Sequence, residues 1–218
     1  MEPDDTLGAA GLPDLAGAVR IVQRGHFTYE SGLHGDTWFD LDGLFAEPAR
    51  VRLAASRLAE RLAPYGATAV CAPYAGGALV GLLVAEALGL PFAPASPAGR
   101  EPDGAAREPD AAGRERDGVA RYALSAAAAR VFAGARVAIV DDAVNAGSAT
   151  LACARAVDAA GGAAVVAGAL IARAPGADER LAAAGLPLEF LVGLPFDAWE
   201  PAACPLCRAG RPLESEPG

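Results

Sequence analysis

The stretch Val137-Ala-Ile-Val-Asp141-Asp142-Ala-Val-Asn145-Ala146-Gly147-Ser148-Ala149-Thr150 concentrates residue types that do chemistry. A hydrophobic strand runs into two adjacent carboxylates and then into a small-residue turn that opens a helix. Adjacent carboxylates at a strand's end can accept hydrogen bonds from vicinal hydroxyls, while the free amides of the next helix's first turn bind phosphate. One loop of this kind recognises a sugar phosphate. The plainer reading is that Asp142 and Ser148 cap the turn and the helix, because side-chain oxygens commonly satisfy orphan amides. Capping does not account for paired acids followed by Asn-Ala-Gly-Ser.

This segment resembles the phosphoribosyl-pyrophosphate (PRPP) motif of the type I phosphoribosyltransferases. The likeness spans nearly the whole chain. Gly25-His26-Phe27-Thr-Tyr-Glu30-Ser31-Gly32-Leu-His34-Gly-Asp36-Thr-Trp38-Phe39-Asp40 is similar to the base-binding hood segment of orotate phosphoribosyltransferases, and Pro73-Tyr74-Ala75-Gly76-Gly77 to their pyrophosphate loop. Small residues there let backbone amides approach the leaving group. The resemblance implies that Asp141 and Asp142 hold the ribose hydroxyls, that the amides of Asn145, Ala146, Gly147, Ser148 and Ala149 cradle the 5-phosphate, and that Mg²⁺ arrives bound to pyrophosphate. It also implies a homodimer, a lid loop over about 96–120, and transfer of phosphoribosyl from PRPP to a ring nitrogen with orotate as acceptor. Glu30, Ser31, Gly32, Trp38 and Phe39 would lie beside the base, and Arg173 near its carboxylate.

The lid segment repeats Arg100-Glu-Pro-Asp, Arg107-Glu-Pro-Asp and Arg114-Glu-Arg116-Asp every seven residues without an apolar anchor. On composition alone this is a solvated insertion; the resemblance makes it a lid whose arginines contact pyrophosphate. All eighteen basic residues are Arg, so any lysine nucleophile or Schiff base is excluded. The family's lysines are therefore missing: Glu30 stands where orotate enzymes carry one before Ser-Gly, and Ala75 where the pyrophosphate loop often does. Glu30 inverts the sign beside the base and disfavours an anionic acceptor. Two rival readings follow, a divergent transferase for a neutral base and a non-catalytic PRPP or nucleotide sensor. A dinucleotide-binding enzyme is disfavoured, since no Gly-x-Gly-x-x-Gly follows the first strand.

Other chemistry-bearing residues are sparse. His26 and His34 have no nucleophile or carboxylate pair at catalytic spacing, and a solvent-facing or base-proximal role is expected. Cys204-Pro-Leu-Cys207 is half of a zinc site; with no second pair after it, metal binding would need one pair from each of two subunits, and no resident metal is assigned. The tail Trp199-Glu-Pro-Ala-Ala-Cys204-Pro-Leu-Cys207 also resembles the C-terminal segment of some bacterial orotate-type enzymes. Cys71 and Cys153 lie in apolar segments, as reduced buried thiols do.

The elements that must position these residues are legible as alternating apolar runs. Helices are expected over 48–66, 77–88, 148–160 and 178–184, and strands over 68–72, 90–93, 136–140, 163–171 and 188–192. Strands separated by helix-length segments imply right-handed βαβ crossovers and a mostly parallel sheet with the ligand beyond the strands' carboxyl ends. The fold class is thus α/β, a parallel sheet flanked by helices; the resemblance makes it type I phosphoribosyltransferase-like, one domain over 1–218 with a hood at about 1–45, the lid, a PRPP loop at 137–150 and a C-terminal tail at 195–218.

With 53% hydrophobic residues the chain can close a substantial core, and its net charge of −9 opposes general nucleic-acid or anionic-membrane binding. The longest apolar stretch, 76–95, is interrupted by Glu86, Gly89, Pro91 and Pro94, unlike a membrane span. The acidic start, Met1-Glu2-Pro3-Asp4-Asp5, lacks the pattern of a secretory signal, so a cytoplasmic address is expected.

Overall fold

Apolar runs rich in Ala, Val and Ile build the sheet, and the segments between them fold back over it as helices. The structure, a computed structural model, describes residues 22–28, 32–39, 44–98, 121–172, 177–193 and 197–214. The arginines at 100, 107, 114, 116 and 173, together with Glu30, Ser31 and the side chain of Phe39, lie outside the described residues. The chain divides into two compact units, residues 52–195 and residues 1–51 with 196–218. The C-terminal tail thus belongs to the same unit as the N-terminal segment.

In the larger unit the described elements begin with α1 (Pro48–Leu62), which starts just before the division, and continue through β3 (Ala69–Pro73), α2 (Ala78–Leu88) and β4 (Phe92–Pro97). They proceed through β5 (Tyr122–Ala123), α3 (Ala126–Phe132), β6 (Arg136–Val144), α4 (Ser148–Ala159), β7 (Ala163–Ala172), α5 (Ala177–Ala183) and β8 (Leu188–Gly193). The sheet order is β5-β4-β3-β6-β7-β8, with β4, β3, β6, β7 and β8 parallel and β5 added antiparallel. From β3 the chain winds outward to β4, and it later returns to the other side of β3 as β6. That reversal makes the carboxyl ends of β3 and β6 a topological switch point, where open α/β sheets bind ligands.

Strands buried on both faces read as continuous apolar runs, and every residue of β3 is buried. The core gathers Cys71, Phe132, Val137, Ile139, Cys153, Val157 and Leu181. Ala54, Ala55, Leu58, Ala59 and Leu62 of α1 are buried; Leu62 comes so close to Gly168 of β7 that a Cβ there would lie 2.9 Å from its Cδ1. α1 ends at Leu62, earlier than its pattern suggested, because Pro64 sits in a 3₁₀ turn (Ala63–Tyr65) that Gly66 closes at φ 63°. Of the expected strands, β4 differs most, running over Phe92–Pro97 in place of 90–93, and β6 continues through the acids to Val144, because β7 goes on pairing with it as far as Ala172. The short β5 and α3 were not anticipated. α3 opens with four consecutive alanines, and its start is set by Ser125, whose Oγ accepts the Ala128 amide at 3.1 Å.

The smaller unit holds a three-stranded antiparallel sheet of β1 (Val22–Thr28), β2 (His34–Phe39) and β9 (Ala198–Trp199), in the order β1-β2-β9. A 3₁₀ turn (Pro201–Ala203) and a short helix, α6 (Pro205–Arg208), follow β9. Phe27 is buried and packs on the half-buried Trp38 with ring centroids 5.8 Å apart. No described helix is long and apolar enough to cross a membrane.

Candidate active site

Two loops meet at the switch point. The first is the Tyr74–Gly77 turn between β3 and α2, in which Tyr74, Ala75 and Gly76 are exposed and Gly77 is buried. The Tyr74 amide donates to the Ala95 carbonyl at 2.8 Å, which holds the turn to β4. The second is the end of β6, which carries Asp141 and Asp142 within the strand, with the Asn145–Gly147 turn that leads on into α4. Both loops come from ends of central strands, so the packed core sets their spacing.

The contact between them is backbone-close. A Cβ at Gly77 would lie 2.8 Å from both Asp141 Oδ1 and the Val140 carbonyl oxygen, and one at Gly76 3.1 Å from Asp142 Oδ1. Gly76 also has φ +85°, a conformation that side-chain-bearing residues rarely adopt. Only Gly-Gly lets the turn rest on the acids, a constraint that sequence spacing alone did not reveal.

Asp141 is 6% exposed and Asp142 half-buried. The Asp142 amide donates to Asp141 Oδ1 at 3.0 Å, and the Ala143 amide to Asp142 Oδ1 at 2.7 Å. Burial holds the Asp141 carboxyl well above the ordinary carboxylate range, and the neighbouring Asp142 pushes it further in the same direction. Such a group is poised to take a hydrogen-bond donor or a positive charge, either of which would stabilise its ionised form.

Gly147, at φ 74°, is the N-cap of α4, and no side chain caps that helix. The capping role considered for Ser148 is therefore not realised, and the first-turn amides point from a positive helix end toward the loop. Asn145 is exposed, Ala146, Ser148 and Ala149 are half-buried, and Thr150 is 1% exposed. Sequence reasoning missed α5's contribution here. Arg180 donates from Nη1 to the Ala146 carbonyl at 3.1 Å, and Leu181 lies within 3.3 Å of where a Gly147 Cβ would be. Nothing in the sequence links positions 146 and 180; β7 and α5 have to fold back to bring them together.

In the smaller unit Gly32 is exposed with φ +79°, and Trp38 is half-buried. Of the two roles expected for the histidines, solvent-facing or base-proximal, the solvent-facing one is overturned, since His26 is 1% and His34 8% exposed. β1 and β2 pair Thr28 with His34, which makes His26 the diagonal neighbour of His34 on one face.

No protein-family model matches the chain. Over 190 residues, 87% of this chain and 91% of the relative, it is 31% identical to an orotate phosphoribosyltransferase of Thermus thermophilus. The chain belongs to the orotate phosphoribosyltransferase family. A likeness of 28% identity to the orotate phosphoribosyltransferase of Caldanaerobacter subterraneus extends over 89% of this chain and 90% of that relative. Among solved structures, adenine phosphoribosyltransferase from Thermoanaerobacter pseudethanolicus superposes with a TM-score of 0.62 at 22% identity, covering 80% of this chain and 96% of that one. At that identity the likeness concerns the fold, a mostly parallel sheet flanked by helices as the strand and helix pattern implied.

Proposed function

We propose that this family member transfers the 5-phosphoribosyl group from PRPP to a ring nitrogen of orotate and releases pyrophosphate. The observation that carries the reading is the packing of the Gly76–Gly77 turn directly on the Asp141–Asp142 pair beside the uncapped start of α4. Three binding functions then lie next to one another. The carboxylates accept hydrogen bonds from the ribose 2- and 3-hydroxyls, the amides of 145–149 hold the 5-phosphate, and the Tyr74–Gly77 turn takes the pyrophosphate.

Displacement at C1 passes through a cation-like transition state, so the protein's task is to position the base and receive the departing charge. Asp141, which resists ionisation by itself, gains from a donor hydroxyl at its oxygen, and this links ribose binding to its loss of a proton. The donor set is all oxygen, which suits a hard divalent cation such as Mg²⁺ brought with the pyrophosphate. When bound, that cation neutralises charge on the leaving group. The same reading makes the chain a cytoplasmic homodimer. Leu79 and Leu82, both more than half exposed three residues apart on α2, support a covered face beside the pyrophosphate turn.

A second reading, a neutral acceptor base, is favoured by Glu30 and by the absence of lysine from the chain. Pyrophosphate release from PRPP and Mg²⁺ separates the two when measured with orotate, uracil, adenine, guanine, hypoxanthine and no base. Orotate-dependent release is expected. Release with only another base supports the second reading, and PRPP binding without release on any base would leave a sensor.

A further inference from the structure

The smaller unit buries an unusual core. Among its described residues the large buried apolar side chains are Phe27, Leu44 and Val51, whereas His26, His34 and Cys204 are also buried. Imidazoles in place of Leu or Val require strong partners, or burying them is costly.

Their arrangement identifies the partner. His26 Nε2 lies 3.2 Å from His34 Nδ1, 3.4 Å from Cys204 Sγ and 3.7 Å from Cys207 Sγ, and His34 Nδ1 lies 3.2 Å from Cys207 Sγ. All four atoms fall within 4.8 Å of one another. A tetrahedron with Zn–N of about 2.05 Å and Zn–S of about 2.3 Å has edges of roughly 3.3–3.8 Å, so the observed separations are close to those around one ion. The remaining nitrogen of the most buried histidine is also accounted for: His26 Nδ1 is 2.8 Å from the Arg211 carbonyl oxygen. Donating there fixes the tautomer whose Nε2 lone pair faces the cluster, the outer hydrogen bond that metal-bound histidines ordinarily make.

The fold assembles this set from distant parts of one chain. β9 pairs with β2 through His34 and Trp199, which delivers the tail to the histidines. Cys204 is the N-cap of α6 and Cys207 lies three residues on, so both sulfurs reach the same side. A second subunit is not needed to complete the half-site seen in the sequence.

We propose that His26, His34, Cys204 and Cys207 bind one Zn²⁺ ion per chain as a closed structural site. Two imidazoles and two thiolates form a soft, tetrahedral S₂N₂ set that suits zinc over Mg²⁺ or Ca²⁺, and four protein ligands leave no position for catalysis. The ion ties the β1–β2 hairpin to the C-terminal tail in a unit too small to rely on its apolar core. The site is independent of PRPP chemistry.

The full chain, purified without chelator from zinc-supplemented medium, is expected to carry one zinc per chain by elemental analysis. After chelation, Co²⁺ titration of the wild-type protein should give tetrahedral d–d bands and thiolate-to-cobalt charge transfer that saturate at one equivalent. Chelation should lower Tm by about 10 °C and zinc should restore it. Cys207→Ser, at the exposed ligand, should weaken the charge-transfer band without removing Cys71 or Cys153. A folded wild-type protein without stoichiometric metal, or with no tetrahedral cobalt spectrum, overturns the proposal. So does a Cys204–Cys207 disulfide in freshly purified, metal-free protein.

Discussion

The switch-point site and the histidine–cysteine cluster are built in opposite ways. In the larger unit the chemistry sits in two short contiguous segments, 74–77 and 141–149, each placed by a strand whose own apolar run ends there. In the smaller unit four single residues, separated by as many as 181 positions, converge through strand pairing. A contiguous motif survives as a readable word; a convergent set exists only once the chain ends have paired. The two also differ in what their buried polar groups do. Asp141 is held in an environment that opposes its charge until something binds, whereas the histidines and thiols already face one another.

The largest expected effect tests the first of these. Replacing both Asp141 and Asp142 by Asn should weaken PRPP binding by about 1,000-fold in calorimetry, since two charge-assisted acceptors are lost. The same removal should stabilise the ligand-free protein. Because the folded carboxyl of Asp141 is raised by burial and by Asp142, the native state holds that proton more tightly than the unfolded chain. Stability is therefore lost as pH rises from the ordinary carboxylate range through the elevated folded value. Asp141→Asn should raise Tm at neutral pH, by about 2 °C or more, and this gain should vanish as pH falls toward 4. A gain that grows on acidification would contradict the assigned direction.

Gly77→Ala comes next. Its Cβ would press on the Val140 carbonyl and on Asp141, and backbone cannot yield as a flexible side chain does. A loss of about 5 °C in Tm, together with at least a ten-fold fall in pyrophosphate release, is expected. Neither change should alter the zinc content of the smaller unit, which keeps the comparison sharp.

Arg180→Ala is milder. It removes the hydrogen bond to the Ala146 carbonyl from an exposed side chain, so KM for PRPP should rise by about three- to ten-fold with kcat nearly unchanged. Smallest is Tyr65→Phe. The hydroxyl donates to Glu189 at 2.6 Å and its pKa is raised, first by that bond, but Tyr65 precedes β3 and Glu189 lies at the start of β8, at the strand ends opposite the two loops. A Tm shift under about 2 °C with unchanged turnover is expected, and a larger change in activity would mean that the β8 edge communicates with the site.

Much of the larger unit was legible because its order is local. The apolar runs of β3, β6 and β7 and the helices between them follow from hydrophobic period and from proline and glycine punctuation. The paired acids and the small-residue turn were likewise visible as a word. The extension of β6 to Val144 was not, because it depends on β7 continuing to pair alongside. Arg180 was missed for a similar reason: a lone arginine on a short helix is an ordinary surface charge until the chain turns back and meets the Ala146 carbonyl. A solvent-facing role for the histidines was one of two expected, because no partner for them stands nearby in the sequence. Burial depended on partners more than 170 residues away.

The amino-acid sequence by itself determined the α/β class, the paired acids followed by a small-residue turn, and the absence of lysine chemistry, since each rests on residue type or on spacing within one segment. Tertiary structure alone decided that the Gly76–Gly77 turn lies on the acids, that Arg180 anchors the loop, and that His26, His34, Cys204 and Cys207 meet. Contacts of that kind depend on strand order and register, quantities that no single segment encodes.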